Sequence, residues 1–319
     1  MMDLLPQFSA NDIALSELSL RLLIVLSVML IEQKFAVDAS YHPGTLWRHM
    51  ALIFSKKTGK GSKSQQRLAG VIASLIMLFM GLSITIAILY FATYTWFFEV
   101  IFLLLAINSN SLLTHCRRIY HSLRHDKKNL AREQLNQICI RDTHALSSMG
   151  IVKGTIEGAV QKFSLHYVTP ILIYLLLGPI ALVGYGLIYS LSQHWNPKQQ
   201  KFREFGLLPS QLMAMISLLF NCLSALLIGL LFGIKHLSLK RNSWHRYGAG
   251  ALLTTTANAM NRELGGAVMY DKLKIRRPKL GTRIHPENSD LVDLVRLIKK
   301  LRQTLLLLIA LLAVFSLVI

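Results

Sequence analysis

The sequence predicts an all-α integral membrane protein, with five or six transmembrane helices and amphipathic cytoplasmic helices between them. Three observations carry that prediction. Mean hydropathy is +0.44. Apolar residues make up 53% of the 319 and charged residues only 16%, where soluble domains carry about 25% charged. Uncharged runs also recur near the length of about 20 residues that a crossing helix needs. An ordinary soluble enzyme is excluded by this composition, and a disordered basic tail is excluded by its hydrophobicity.

Taken in order, the N-terminal stretch is no signal peptide, because Asp3, Asp12 and Glu17 stand where a basic region belongs. Residues 12–31 form a first span, interrupted by Glu17 and Arg21, and 32–67 a basic loop. In that loop Lys57–Ser64 has glycine and lysine without phosphate-loop spacing. Residues 68–107 hold one charge, Glu99, and are too long for one crossing, so they predict a hairpin turning near Tyr94. All three intramembrane charges fall near span ends, where long side chains reach the interface.

Residues 108–167 are cytoplasmic. Leu112, Ile119, Leu123, Leu130, Leu135 and Ile138 recur at helical spacing, with a break around His125–Lys128. Arg141-Asp142-Thr143 reads as a helix start with Asp142 or Thr143 as N-cap, or as a buried Arg–Asp pair at a polar site. Residues 168–191 carry Pro170, Gly178, Pro179, Gly184 and Gly186. A kinked crossing helix is the favoured reading, and two half-helices that re-enter are the alternative. The choice decides which face Trp195–Gly206 occupies. Residues 211–234 form another uncharged span. The region 235–303 is cytoplasmic and basic, with Tyr247–Tyr270 expected as an amphipathic helix capped by Gly265-Gly266. Residues 304–319 form the last span.

The charges sort by face. Of 35 Lys+Arg, the loops 32–67, 108–167 and 235–303 hold 7, 9 and 15, whereas 192–210 holds 3. Positive-inside bias puts the three large loops in the cytoplasm and the N-terminus outside. That partition accounts for the net charge of +19 without nucleic acid, for which no binding motif is present. Cysteines at Lys60 and Lys127 should therefore be labelled only from the cytoplasmic side. Cys116, Cys139 and Cys222 lack metal or disulfide spacing. His115, His121, His125 and His144 do not pair beside a carboxylate as a helical metal site requires.

A series of motifs then resembles a known family. Ala131–Leu146 reads A-R-x-x-L-x-x-I-x-x-R-D-T-x-x-L, and Gly150–Glu157 reads G-I-x-K-x-x-I-E. Leu175–Pro179, Phe202–Gly206, Arg262–Gly266 and Tyr41-His42-Pro43 complete it. The series resembles the CobD/CbiB family of cobalamin-biosynthesis membrane proteins. The resemblance implies a bacterial inner-membrane enzyme, adenosylcobinamide-phosphate synthase. Such an enzyme joins the corrinoid adenosylcobyric acid to aminopropanol phosphate, or a related amino-alcohol phosphate, with ATP and Mg²⁺. It implies catalytic roles for Arg141, Asp142, Lys153 and Glu157, with Asp142 and Glu157 as candidate metal ligands. It also implies substrate or phosphate contacts from His42, Arg276, Arg277 and Lys279, for which lipid headgroups are the rival partner.

The sequence departs from the family pattern where acids are usual. Gln161–His166, Tyr189–His194, Met213-Ala214 and Arg241–Trp244 replace carboxylate-bearing stretches. A non-catalytic paralogue with a binding or signalling role, similar to AmpE-like membrane proteins, is therefore the alternative. Oligomeric state is left open.

Overall fold

The computed structural model describes residues 10–34, 44–58, 61–238, 249–270 and 273–318. His42 and Lys60 lie outside them. Eleven helices and four short strands are described: α1 Ala10–Lys34, α2 Gly44–Thr58, α3 Lys63–Phe91, α4 Thr95–Ala106, α5 Ser109–Arg124, α6 Lys128–Asn136, α7 Ser148–Phe163, α8 Thr169–His194, α9 Leu207–Phe232, α10 Ala249–Ala259, β1 Glu263–Gly265, β2 Val268–Tyr270, β3 Leu273–Ile275, β4 Lys279–Gly281 and α11 Asp290–Val318. Five helical stretches are long and apolar enough to cross a membrane. Their outer faces expose Leu68, Phe79, Leu219, Leu311 and Phe315, a display that water would not tolerate over so large an area and lipid would. The protein is an all-α membrane protein.

Local signals set the helix ends. Ser62 and Gln65 form a reciprocal capping box that starts α3. The chain then turns at 92–94 into α4. At the start of α5, the buried carboxylate of Glu32 accepts from Ser109 N (2.8 Å) and Asn110 N (2.6 Å). Glu32 comes from α1, so one side chain satisfies the free N–H groups of a neighbouring helix and ties α1 to α5. The main core joins α1 (Val25, Val28, Met29), α5 (Leu113, Ile119), α7 (Ile151, Ile156) and α11 (Leu294, Ile298).

Residues 164–168 continue α7 as a π-helical turn into α8. At Gly178 the backbone takes φ 81°, ψ −172°, a region essentially closed to side chains, and Pro179 follows. The helix folds back on itself there. Tyr185 donates to the carbonyl of Leu165 (2.5 Å), and the rings of His166 and Tyr189 are 4.4 Å apart. In a straight helix those residues would lie about 30 Å apart. The favoured kinked crossing is thus replaced by the alternative of two half-helices, because Gly178 adopts a backbone conformation that side chains disfavour and Pro179 removes a donor from the helical ladder.

The return leg carries Trp195–Gly206 back to where it began. Trp195 donates to Ala51 O (3.1 Å), and Arg67 at the start of α3 pairs with Glu204. A second cluster, including Met77, Trp195, Phe202 and Phe205, packs this stretch against α2 and α3. Helix α9 starts there. Its middle touches α7–α8 through Ser164 and Asn221 (2.9 Å). Its last residue, Phe232, lies under Lys300 of α11. Both ends of α9 therefore stay on the same half of the bundle. The opposite half holds the α3–α4 turn and the tip at Gly178. There Tyr174 donates to Glu99 (2.5 Å) and Arg21 pairs with Glu17 at 3.7 Å.

Two local expectations change. Helix α7 is capped by Ser147, whose hydroxyl accepts from Gly150 N, not by Asp142 or Thr143. The helix expected to run to Gly265-Gly266 stops at Ala259, with Asn261 in the left-handed region (φ 52°). Gly265 and Gly266 lie instead in and after β1, which pairs antiparallel with β4, while β2 pairs with β3. Three-residue strands without alternation left no periodic signal to read.

Candidate functional site

Three sequence motifs meet at Glu157. The irregular stretch between α6 and α7 is fixed first. Arg132 donates twice to Leu146 O (3.0 and 2.7 Å). Thr143, fully buried, donates its hydroxyl toward Arg132 O and Asn136 Oδ1. This scaffold presents Arg141 to α7. Its guanidinium lies across Gly154, where any Cβ would sit 1.9 Å from Arg141 Nη2, so only glycine admits it.

Glu157 is buried and fully engaged. Oε1 accepts from Gly265 N at 2.7 Å. Oε2 accepts from Arg277 Nη2 at 2.9 Å and Arg141 Nη1 at 3.3 Å. Arg277 also donates to Gly266 O. One carboxylate thus binds two guanidiniums and the first strand, in the charge-assisted geometry that makes such bonds strong. Beside it, Glu263 receives Lys153 (3.0 Å) and Lys279 (3.1 Å). Burial works against the charge of Glu263, but the hydrogen bonds from Lys153 and Lys279 outweigh it and hold the carboxyl below the usual range. Arg262 pairs with Asp290 at the start of α11 (2.7 Å). The Arg-Glu-Leu-Gly-Gly motif therefore distributes its side chains over three partners and gives its backbone to Glu157.

A recess of about 170 Å³ opens beside Glu157, lined among others by Arg141, Arg277, Lys162, Lys198, Tyr270 and Cys139. Lys198 reaches it from the stretch after α8, with Nζ 4.7 Å from the Tyr270 ring centre. Burial pushes the Cys139 thiol up, so it stays protonated near neutrality and is no ready nucleophile.

Of the residues singled out in the sequence, Arg141, Glu157 and Arg277 come together at the recess. Lys153 and Lys279 belong to the adjacent Glu263 cluster. Asp142 does not line the recess; its carboxylate accepts from His144 N (3.1 Å) and its backbone N–H donates to Met269 O. Arg276 is exposed outside the recess. Sequence reasoning missed Lys162, Lys198 and Asp290. Lys198 was hidden because a crossing α8 would have put it on the other face.

Known proteins are similar to this chain. The model of a family described as CobD/Cbib protein matches residues 25–298. The cobalamin biosynthesis protein CobD of Chromobacterium violaceum is 29% identical over 205 residues, covering 63% of this chain and 66% of the relative. The protein of that name in Leptospira interrogans is 24% identical over 240 residues, 71% of this chain and 76% of the relative. That of Streptococcus sanguinis is 28% identical over 194 residues, 58% and 61%. No solved structure matches. The motifs that assemble around Glu157 all lie inside the matched region, and the chain belongs to the CobD/CbiB family.

Proposed function

We propose that this chain acts in cobalamin biosynthesis at a bacterial inner membrane, where the recess beside Glu157 holds an anionic group of a pathway intermediate. Family membership and the names of the relatives support the pathway. One observation supports anion binding: four cationic side chains, Arg141, Arg277, Lys162 and Lys198, line the recess against the single carboxylate of Glu157. The excess offsets negative charge on a ligand and orients it.

The reaction implied by the resemblance is amide formation between adenosylcobyric acid and aminopropanol phosphate, with ATP and Mg²⁺. The residues present do not fit the metal. Both oxygens of Glu157 are occupied, and Asp142 lies outside the recess. Among the described residues, no group of three His, Cys, Asp or Glu could hold an ion. The recess, at about 170 Å³, is also smaller than the roughly 300 Å³ at which small-molecule pockets begin. These occupied carboxylates favour a second reading, a paralogue that binds the intermediate without ligating it.

The test is direct. Purified full-length protein is incubated with ATP, Mg²⁺, adenosylcobyric acid and aminopropanol phosphate, and adenosylcobinamide phosphate is sought by mass spectrometry. Product that disappears in Arg141→Lys supports ligation. Binding of a substrate without product supports the second reading. Absence of both binding and product overturns the proposal.

A further inference from the structure

We propose that a cleft between the ends of α9 and α10 and the start of α11 binds one anionic phospholipid from the surrounding bilayer. The cleft shares no lining residue with the recess, so it is independent of any reaction there. Its volume of about 450 Å³ falls inside the roughly 300–1,000 Å³ range of small-molecule sites.

The lining divides by chemistry. Phe232, Met260 and Leu297 form an apolar floor, and the exposed Arg296, Lys299 and Lys300 form a cationic rim. Two acids also line the cleft, and each is already matched. Asp290 pairs with Arg262 at 2.7 Å, and Asp293 with Arg296 at 3.0 Å. No salt bridge among the described residues takes Lys299 or Lys300, so these two give the rim its unbalanced charge. The Lys300 ammonium stands 5.7 Å from the ring centre of Phe232, which sets a cation directly over the apolar floor.

The floor leads into lipid-facing surface. Residues seven and eleven positions apart on a helix share a face. Lys300, Leu307 and Leu311 therefore form one stripe on α11, and both leucines are exposed, 61% and 67%. Residues 303–319 carry no charge, so Lys300 stands where α11 enters the hydrocarbon. From Lys300 to Leu311 the helix rises about 16 Å, the depth of one leaflet in a hydrocarbon core of about 30 Å.

An anionic phospholipid uses every part of this arrangement. Its phosphate diester meets the lysines, and an acyl chain follows the leucine stripe. A free phosphate leaves the apolar floor and the stripe uncovered. A zwitterionic lipid brings its own ammonium against the rim. Basic pockets between spanning helices hold anionic headgroups by this physics.

Native mass spectrometry tests the site. Full-length protein in detergent is mixed with equal amounts of phosphatidylglycerol and phosphatidylcholine of identical acyl chains, and retained lipid is counted. One phosphatidylglycerol should be retained in preference, by about tenfold or more. Lys299→Gln and Lys300→Gln should each cut that preference about fivefold, or about 1 kcal/mol per lysine, without shifting the melting temperature. Lys128→Gln, exposed on α6, should leave it unchanged. Glycerol phosphate in large excess should not displace the lipid. Equal retention of the two lipids, or indifference to both variants at the rim, overturns the site. An equal loss in Lys128→Gln would show general attraction to a basic surface, and displacement by glycerol phosphate would show a soluble-anion site; either result overturns it too.

Discussion

Glu157 is the residue on which the recess depends, and its role is electrostatic before it is chemical. Two guanidiniums sit on one oxygen in a buried setting. Removing one partner of a buried pair leaves an uncompensated charge, at a cost of about 3–5 kcal/mol. Glu157→Gln should therefore lower unfolding stability by that order in chemical denaturation, whereas Lys128→Gln should leave it within about 0.5 kcal/mol. Glu263 gives a pH prediction. Its folded pKa is depressed, so its contribution is complete above the unfolded carboxylate value, about 4.3. The contribution is lost as pH falls through the lower folded value. Acid titration should loosen the strands from α7 in this window, read as a lower amide protection factor at Gly265 relative to the intrinsic rate, and Glu263→Gln should reduce the dependence. In the sequence, Arg141 and Glu157 stood out through their motifs, and Arg277 only as part of a basic run. The partners of Lys153 and Lys279 were not legible, because both reach Glu263 across more than one element.

Among elements, α8 is the one that composition alone could not decide. A helix with Gly178-Pro179 at its centre can kink or reverse, and only the contacts of Tyr185 with Leu165 and of Tyr189 with His166 show reversal. The conformation at Gly178 excludes a side chain at a cost of about 1–3 kcal/mol. Gly178→Val should lower the melting temperature and the yield of folded protein. Gly186→Ala should do neither, because nothing lies within 4 Å of its Cβ position. If both variants behave alike, the reversal at Gly178 is not the constraint described. The α3–α4 hairpin and the α5–α6 break were readable because charge and period mark them. The four strands were not, being three residues each and held by Glu157 and neighbouring backbone rather than by their own pattern.

At the scale of the molecule, two apolar segments that sequence reading took as crossings, 168–191 and 211–234, begin and end on the recess half. The two departures cancel. Segment 235–303 still returns to the half where 108–167 lies, as it must for Arg277 to meet Glu157. The consequence falls on 192–210, whose Lys198, Lys201 and Arg203 join the other basic loops. Among the described residues, every basic side chain except that of Arg21 then falls in a segment bounded on one half.

Lys198 can serve the recess only if the stretch after α8 shares its face. Single cysteines at Lys127, Lys201 and Thr93, each exposed, in a cysteine-free background, can be labelled with a membrane-impermeant maleimide in sealed, inside-out vesicles and in intact spheroplasts. Cysteines at 127 and 201 should label together, in inside-out vesicles only, and cysteine at 93 in spheroplasts only. Labelling of 201 together with 93 would contradict the folded-back α8 and take Lys198 away from the recess.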